Sequence, residues 1–315
     1  MSHLEQINCP ICGRSENTRL FTSKDFLSSK EEFSVVKCAS CGIKYTNPRV
    51  KAEAVSAYYP SGYCLYLAKP ETRGPLSSLR EFFGRLSGNS DRRLLEILRE
   101  CRAEKVLEIG PGAGKLLFLL KDSGFDVTGI DTDEDCVRLI CEKGIKCIKG
   151  DLGSVKGRLS ANEFDAVIMH HAFEHLYSPV AALRDVTGLL KANGTLLISL
   201  PDAGSLEARL FGKYWKGLDL PRHIVHYDRG AVRKVLSEAG FHSIKITPAV
   251  FPSSFVESLG FLLFGGRMPG FLYFLLYYPL KLISPLSMML VGSGAMNVTA
   301  KKSAGNAPQA GGANI

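Results

Sequence analysis

The sequence predicts an α/β fold: a largely parallel sheet with helices on both faces, a small metal-binding module in front and an apolar helical insertion before the last strand. Three observations predict it. The stretch Val106-Leu-Glu-Ile-Gly-Pro-Gly-Ala-Gly-Lys-Leu-Leu117 joins an apolar run to an apolar helical pattern through a Gly-x-Gly-x-Gly turn, the layout of a first strand, a tight turn and a first helix. Strand-like and helix-like segments then alternate as far as residue 248, and repeated β–α units of this length make a parallel sheet covered by helices. Two Cys-x-x-Cys-Gly knuckles precede all of this, within the first 42 residues.

Bulk composition sets limits on function. A chain of 315 residues, 45% hydrophobic and 22% charged, holds one sizeable core plus a small accessory module and excludes broad disorder. A formal net charge of +8 permits attraction to anionic lipid headgroups, phosphorylated substrates or nucleic acid. No basic run is interleaved with aromatics, so nucleic acid is the disfavoured partner. The N-terminus has no charged-then-apolar signal segment, which favours residence in the cytosol. Nine cysteines, an odd number, fit a reducing compartment better than a disulfide framework.

Residues 1–50 form the first unit. In Cys9-Pro-Ile-Cys12-Gly and Cys38-Ala-Ser-Cys41-Gly, each glycine allows the tight turn that points two thiolates at one metal. Two knuckles around a β-like insert supply a tetrahedral four-sulfur site for Zn2+, closed and therefore structural. A ribbon that has lost its metal, or plain buried thiols, is the alternative. Residues 51–90, with Tyr58-Tyr59-Pro60 and Tyr63, are expected to form short helices and a linker, placed to lie over the ligand site as a lid.

The unit 91–250 begins with a helix at 91–99 that leads into strand 105–109. Helix 115–122 stops at Gly124, strand 125–130 ends in Asp131, helix 133–143 stops at Gly144, and strand 145–149 leads to Asp151. Strand 164–169 runs into His170-His171, helix 179–190 and strand 194–200 follow, and helix 228–239 stops at Gly240 before strand 242–248. Ligands on such sheets sit beyond the C-terminal strand ends, where Gly110–Gly114, Asp131, Asp151 and His170–His175 all fall.

Residues 251–294 break the pattern. Phe261-Leu-Leu-Phe264 and Phe271-Leu-Tyr-Phe-Leu-Leu-Tyr-Tyr278 are too apolar and aromatic for a soluble loop, yet Gly265-Gly266, Pro269, Pro279 and Pro285 interrupt any clean span of about 20 residues. With Arg267 and Lys281 as flanks, residues 255–290 suit helices lying in a membrane interface. A hairpin buried against the domain, or in a homodimer, is the other explanation. Residues 295–303 look like a returning strand, and the Gly/Ala/Asn-rich residues 304–315 are expected to be a disordered tail.

The chemistry-bearing residues cluster around the glycine turn. Gly110, Gly112 and Gly114 let a ligand approach the backbone, and the helix behind them offers unpaired N–H groups. Gly114 lies two residues after Gly112, where a dinucleotide fold wants three. Glu108 precedes the turn and offers a charge to a cationic or hydroxyl-rich ligand. Asp131, seventeen residues after Gly114, stands where a carboxylate accepts both ribose hydroxyls, unless it serves only to start the next helix. Asp151 either meets an adenine amino group or forms a turn.

Glu108-x-Gly-x-Gly-x-Gly114, Asp131, Gly150-Asp151 and Phe164-Asp-Ala-Val-Ile-Met-His-His-Ala-Phe-Glu-His175 together resemble a class I S-adenosylmethionine-dependent methyltransferase, over roughly residues 90–250 and the final strand. The resemblance implies a Rossmann-like seven-stranded sheet that ends in an antiparallel strand supplied by 295–303. It also implies S-adenosyl-L-methionine as cofactor, with Glu108 and the glycines on its methionine part, Asp131 on the ribose and Asp151 on the adenine. The cysteine knuckles, Leu220-Pro-Arg-His-Ile-Val-His226 and the apolar insertion resemble a bacterial subgroup associated with cell-surface polysaccharide or lipid-linked products and related to quinone-ring O-methyltransferases.

Those quinone enzymes show Glu-x-x-Glu-His after the fourth strand, which gathers a divalent metal. This chain has His171-Ala-Phe-Glu174-His175, and the histidine in place of the first carboxylate puts metal assistance in doubt. His175 or His171, beside Glu174, is a candidate general base, since imidazole titrates near neutrality; a Glu-His pair that merely caps the next helix is the structural alternative. Arg222, His223 and His226 are candidate substrate contacts on a loop after the fifth strand, or else fix that loop through backbone hydrogen bonds. The expectation is a cytosolic enzyme, peripheral on the inner face of the membrane, that methylates a lipid-linked sugar or quinone-like acceptor. A methyltransferase of a soluble nucleotide-sugar, with the insertion as a dimer interface, and a non-enzymatic zinc- and cofactor-binding protein remain as alternatives.

Overall fold

Three sheets organise the protein, whose computed structural model describes residues 3–59, 90–249, 252–291 and 294–303. The N-terminal module contains β1 (Leu4–Glu5), β2 (Asn17–Lys24), β3 (Glu32–Cys38), β4 (Lys44–Thr46) and β5 (Arg49–Val50). β1 pairs with β5, and β2, β3 and β4 form an antiparallel meander. Asp25 shapes the turn between β2 and β3: its carboxylate accepts the backbone N–H groups of Leu27, Ser28 and Ser29. A carboxylate that answers several free amides fixes a loop that has no ladder of its own. A 3-10 helix follows at Ala52–Tyr58. The rest of the expected lid, 60–89, lies outside the described residues, as does the tail 304–315.

The second unit runs α1 (Ser90–Glu100), β6 (Lys105–Ile109), α2 (Lys115–Asp122), β7 (Asp126–Asp131), α3 (Glu134–Glu142), β8 (Lys146–Lys149), the short α4 (Leu152–Val155), β9 (Phe164–His170), α5 (Pro179–Leu189) and β10 (Leu190–Pro201). It continues through α6 (Leu206–Phe211), β11 (Val225–His226), α7 (Arg229–Glu238) and β12 (Phe241–Ala249). Central strands are buried on both faces: Val106, Leu107, Val167 and Met169 are all fully inside, as a helix-covered parallel sheet requires. Asp133 and Asp228 cap α3 and α7 by accepting the N–H groups of Cys136 and Ala231.

The large sheet has the order β12-β13-β10-β9-β6-β7-β8, where β13 (Ala295–Lys302) is the returning strand. β13 is antiparallel to both β10 and β12, with Leu197 opposite Thr299 and Ile246 opposite Val298; the remaining pairs are parallel. Strand direction and order agree with the expected seven-stranded fold. β10 starts four residues early, because Leu190 already pairs with Phe164 before an irregularity that resets the register at Thr195.

Two features were not foreseen. β11 leaves the large sheet and pairs antiparallel with β4, Val225 opposite Tyr45, so the N-terminal sheet has the order β11-β4-β3-β2. The N-terminal module thus shares a ladder and a core with the second unit; Cys9, Val36 and Tyr45 pack in one apolar cluster with Met169, Phe173 and Tyr227. The insertion is helical as expected, as α8 (Pro252–Phe264) and α9 (Gly270–Val291). Among the described residues no helix is long and apolar enough to cross a membrane.

Candidate functional site

The strand order reverses between β6 and β9, which lie side by side while their following segments diverge. That switch point opens a crevice at the C-terminal strand ends. The glycine turn leaves β6 and the histidine block leaves β9, so the topology alone brings the two motifs together. They touch: a Cβ on Gly110 would lie 2.9 Å from Cβ of Ala172.

Gly110, Gly112 and Gly114 have φ values of 72°, 52° and 76°, a left-handed backbone that glycine adopts without strain. At Gly114 space is also decisive, since a Cβ would sit 2.7 Å from Ile140. The turn therefore packs its backbone directly against Ala172 and Ile140, an approach that a side chain at these positions would block. Gly114 precedes α2 with no side-chain cap and no acidic residue in the first turn, which leaves that helix end open to a ligand. Glu108 is buried on β6. Asp131, at the end of β7, accepts the Gly112 N–H at 2.9 Å through one carboxylate oxygen and the Asp133 N–H at 2.9 Å through the other. Burial outweighs these bonds and raises its pKa. Asp151 starts α4 as its N-cap, accepting the Ser154 N–H at 3.0 Å, which is the turn-forming role.

Beyond β9 the chain makes a 3-10 turn, Phe173–His175, that sends Glu174 inward and leaves His171 and His175 half-buried. His171 adopts φ 54°. One oxygen of the buried Glu174 carboxylate lies 3.3 Å from Nδ1 of His171 and 3.8 Å from Nε2 of His223; the other, Oε2, has no hydrogen-bond partner among the described residues. Burial opposes the charge on Glu174, but the His171 hydrogen bond and the surrounding imidazoles hold its pKa down at about 2.

Two imidazoles are oriented by main-chain carbonyls. Nδ1 of His175 lies 3.0 Å from the Arg222 carbonyl, and Nδ1 of His223 lies 2.8 Å from the Gly217 carbonyl. A carbonyl only accepts, so both Nδ1 atoms carry a proton, and in the neutral ring each Nε2 then presents a lone pair. The rings meet edge to face at 4.7 Å. One donor atom each from Glu174, His175 and His223 lies within 4.8 Å of the others, a spacing that also permits a cation. Glu174 adjoins a closed packing gap, too small for a water molecule, walled by Pro201, Trp215, His223, His226 and Tyr227.

The loop before β11 divides the expected substrate contacts. His223 joins the cluster. Arg222 and His226 are both buried and hydrogen-bonded within the protein, and His226 also lines the space beside Glu174. Arg222 donates to both oxygens of Asp219 and to Asp25, all at 3.0 Å, and to the Tyr58 carbonyl at 2.7 Å. Thr46 donates its hydroxyl proton to the His223 carbonyl, so Nε2 of His226, 3.1 Å from the Thr46 hydroxyl oxygen, donates to that oxygen. Asp219 and Asp25 escaped sequence reading because their partners lie far along the chain or in an irregular loop.

Burial sets the proton state of these histidines. It lowers the pKa of His223 to about 4, where repulsion between two protonated imidazoles, His175 and His223, adds to burial, and that of His226 to about 3. Both are neutral in the folded protein at pH 7, whereas an unfolded histidine titrates near 6.5. The unfolded state therefore binds more protons between about pH 6.5 and 4, and stability is lost as pH falls through that window. For His223 the loss is on the order of 3 kcal/mol by pH 4. Thermal melts should show the midpoint flat above pH 7 and falling below 6.5, with a shallower fall in His223→Gln; identical slopes would contradict the assignment.

The four cysteine sulfurs converge as the knuckles predict. Cys9 and Cys41 sulfurs are 3.5 Å apart, as are those of Cys12 and Cys38, and all four lie within 4.8 Å. Tetrahedral zinc with bonds of about 2.3 Å needs edges of about 3.8 Å, so the donor set fits. The knuckles repeat one geometry: Gly13 N–H reaches the Cys9 carbonyl, and Gly42 N–H the Cys38 carbonyl. Cys38→Ser should lower bound zinc from one equivalent to well below half by elemental analysis; a full equivalent would count against this site.

A family model described as a methyltransferase domain matches residues 76–246. No curated protein matches the chain. Among solved structures, a SAM-dependent methyltransferase from Archaeoglobus fulgidus is 21% identical, with a TM-score of 0.46 over 71% of this chain and 99% of its own. A possible histamine N-methyltransferase from Thermotoga maritima is 16% identical, with a TM-score of 0.47 over 72% and 97%. A Haemonchus contortus phospholethanolamine N-methyltransferase 2 is 16% identical, with a TM-score of 0.52 over 82% of this chain and 62% of its own; at that identity the likeness is one of fold.

Proposed function

The chain belongs to the methyltransferase-domain family of S-adenosylmethionine-dependent enzymes, and from that premise we propose that it methylates a hydroxyl group of a lipid-linked sugar or quinone-like phenol. The single observation that supports a hydroxyl acceptor is the Glu174–His175–His223 cluster. It gathers a buried carboxylate oxygen and two imidazole lone pairs beside the glycine turn, acceptors that an O–H group answers.

The residues present fit the cofactor. Gly110, Gly112 and Gly114 hold the left-handed backbone of the turn, the α2 end is open, and Asp131 stands within reach of the same turn. Glu108 and the three glycines would hold the amino-acid part, and Asp131 the ribose hydroxyls. When bound, S-adenosylmethionine supplies a methyl group already activated as a sulfonium.

The chain's part is alignment and proton removal. His175, its Nδ1–H fixed on the Arg222 carbonyl, takes the acceptor's hydroxyl proton at Nε2 as the oxygen becomes nucleophilic. His223 is held in the same tautomer and stays neutral through burial. Glu174, ionised and buried, stabilises the imidazolium that forms. Proximity and orientation of this kind contribute roughly 7–11 kcal/mol in favourable cases.

The acceptor class is tested by incubating the protein with methyl-labelled cofactor and, separately, a cell lipid extract and a pool of soluble nucleotide-sugars. Label in the organic phase is the expected result. Label only in the nucleotide-sugar pool would overturn the lipid-linked reading.

A further inference from the structure

We propose that the tip of the α8–α9 hairpin is a docking surface for an anionic phospholipid bilayer. This deepens the reading of a lipid-linked acceptor, and it stands on observations separate from the reaction chemistry. Six large apolar side chains are exposed at the tip: Leu262, Leu263, Phe264, Phe271, Phe274 and Leu275, with Phe271 at 77% and Leu263 at 62%. Among the described residues only three other large apolar side chains are this exposed, and two of those lie on α6, which packs against α8. Concentrated exposure of this kind marks an interaction surface.

The hairpin is held at its base. Phe26 stacks on buried Phe261 at 4.6 Å, Phe211 meets Phe255 edge to face at 5.0 Å, and Ser258 accepts the Lys216 N–H at 2.9 Å. Glu207 accepts from both Ser254 and Trp215. The apolar tip is therefore carried on a helix, α8, that is packed against the body of the protein. Behind it on α9, Tyr273, Tyr277 and Tyr278 are half-buried, and rings with one polar end suit the headgroup level.

Charge selects the partner. Arg267 is exposed in the hairpin turn, and the Lys30 ammonium lies 3.9 Å from where a Gly266 Cβ would be. Lys213 sits over the Tyr214 ring, which itself packs beside Phe26. Of the nearby acids, Glu257 faces Lys216 and Arg267, and Glu31 accepts from Tyr58. An apolar tip ringed by cations complements anionic headgroups around an acyl boundary. A second copy of this chain docked two-fold on the same patch would set those cations against their own images. Among the described residues no helix is long and apolar enough to cross a bilayer.

The test is sedimentation of the full-length protein with phosphatidylglycerol–phosphatidylcholine vesicles and with phosphatidylcholine alone. Binding to the anionic vesicles is expected, weakened by salt. The double variant Phe264→Ser/Phe271→Ser should bind roughly tenfold less or worse, with unchanged melting temperature and cofactor affinity. Arg267→Glu/Lys30→Glu should lose the preference for anionic vesicles. Failure to bind anionic vesicles, or equal binding by the double variant, would overturn the proposal. So would a vesicle-free dimer abolished by the same variant, which would assign the patch to a second copy. Vesicle binding combined with label only in soluble nucleotide-sugars would leave this surface standing and remove the acceptor reading.

Discussion

Replacing Arg222 with alanine is expected to destabilise the protein by about 3–5 kcal/mol, the range for removing one partner of a buried charge network. Arg222 is 4% exposed and Asp25 is fully buried. Without the guanidinium, Asp25 and Asp219 would remain inside as carboxylates with no compensating cation on that side. Asp219 would keep Lys216 at 3.1 Å, and Asp25 its three backbone N–H donors, so the structure weakens without dissolving. For a domain of this size the melting temperature should fall by about 10 °C. Arg222→Lys should recover little, because one ammonium cannot satisfy Asp219, Asp25 and the Tyr58 carbonyl together. A melting temperature within 2 °C of wild type, roughly the effect of 1 kcal/mol or less, would mean the network contributes little net stability.

The second large effect is on rate. On the proposed mechanism, Glu174→Gln keeps the shape of the side chain but removes the charge that steadies the protonated imidazole, and His175→Gln removes the proposed base. Each should lower turnover by about 100-fold or more, the usual contribution of a positioned general base. Cofactor affinity should change less than threefold, since neither residue lies on the glycine turn or Asp131. The split is the diagnostic: a cluster that only caps the next turn would lower stability and leave kcat near wild type. Equal losses of cofactor affinity and turnover would place Glu174 in the cofactor site instead.

Much of this arrangement was legible along the chain because its signals are local. The strand–turn–helix at 105–122 announces itself through apolar periodicity and glycine spacing, and Asp131 and His170–His175 follow from where successive strands end. The cysteine knuckles are local too, and their sulfurs meet as the spacing requires. What stayed hidden is non-local. β11 is two residues long, too short to show any period, and exists because β4 offers it a free edge. Arg222 looks like a substrate contact until Asp25, 197 residues away, is seen against it. His226 likewise pairs with Thr46, 180 residues back. A buried polar residue must find a partner, but the sequence does not say which. The consequence is functional as well as structural. The N-terminal module forms one wall of the loop that carries His223, so disrupting the cysteine cluster should reach the proposed reaction site through β4 and β11.

The most direct test is the bond that the transferred methyl group makes. Product formed from carbon-13 methyl-labelled cofactor and lipid extract would be isolated and its methyl signal assigned by NMR. A methyl on oxygen, absent from reactions of the Glu174→Gln and His175→Gln variants, is the predicted result. A methyl on nitrogen or carbon, or an O-methyl product formed equally well by both variants, would contradict the role assigned to this cluster.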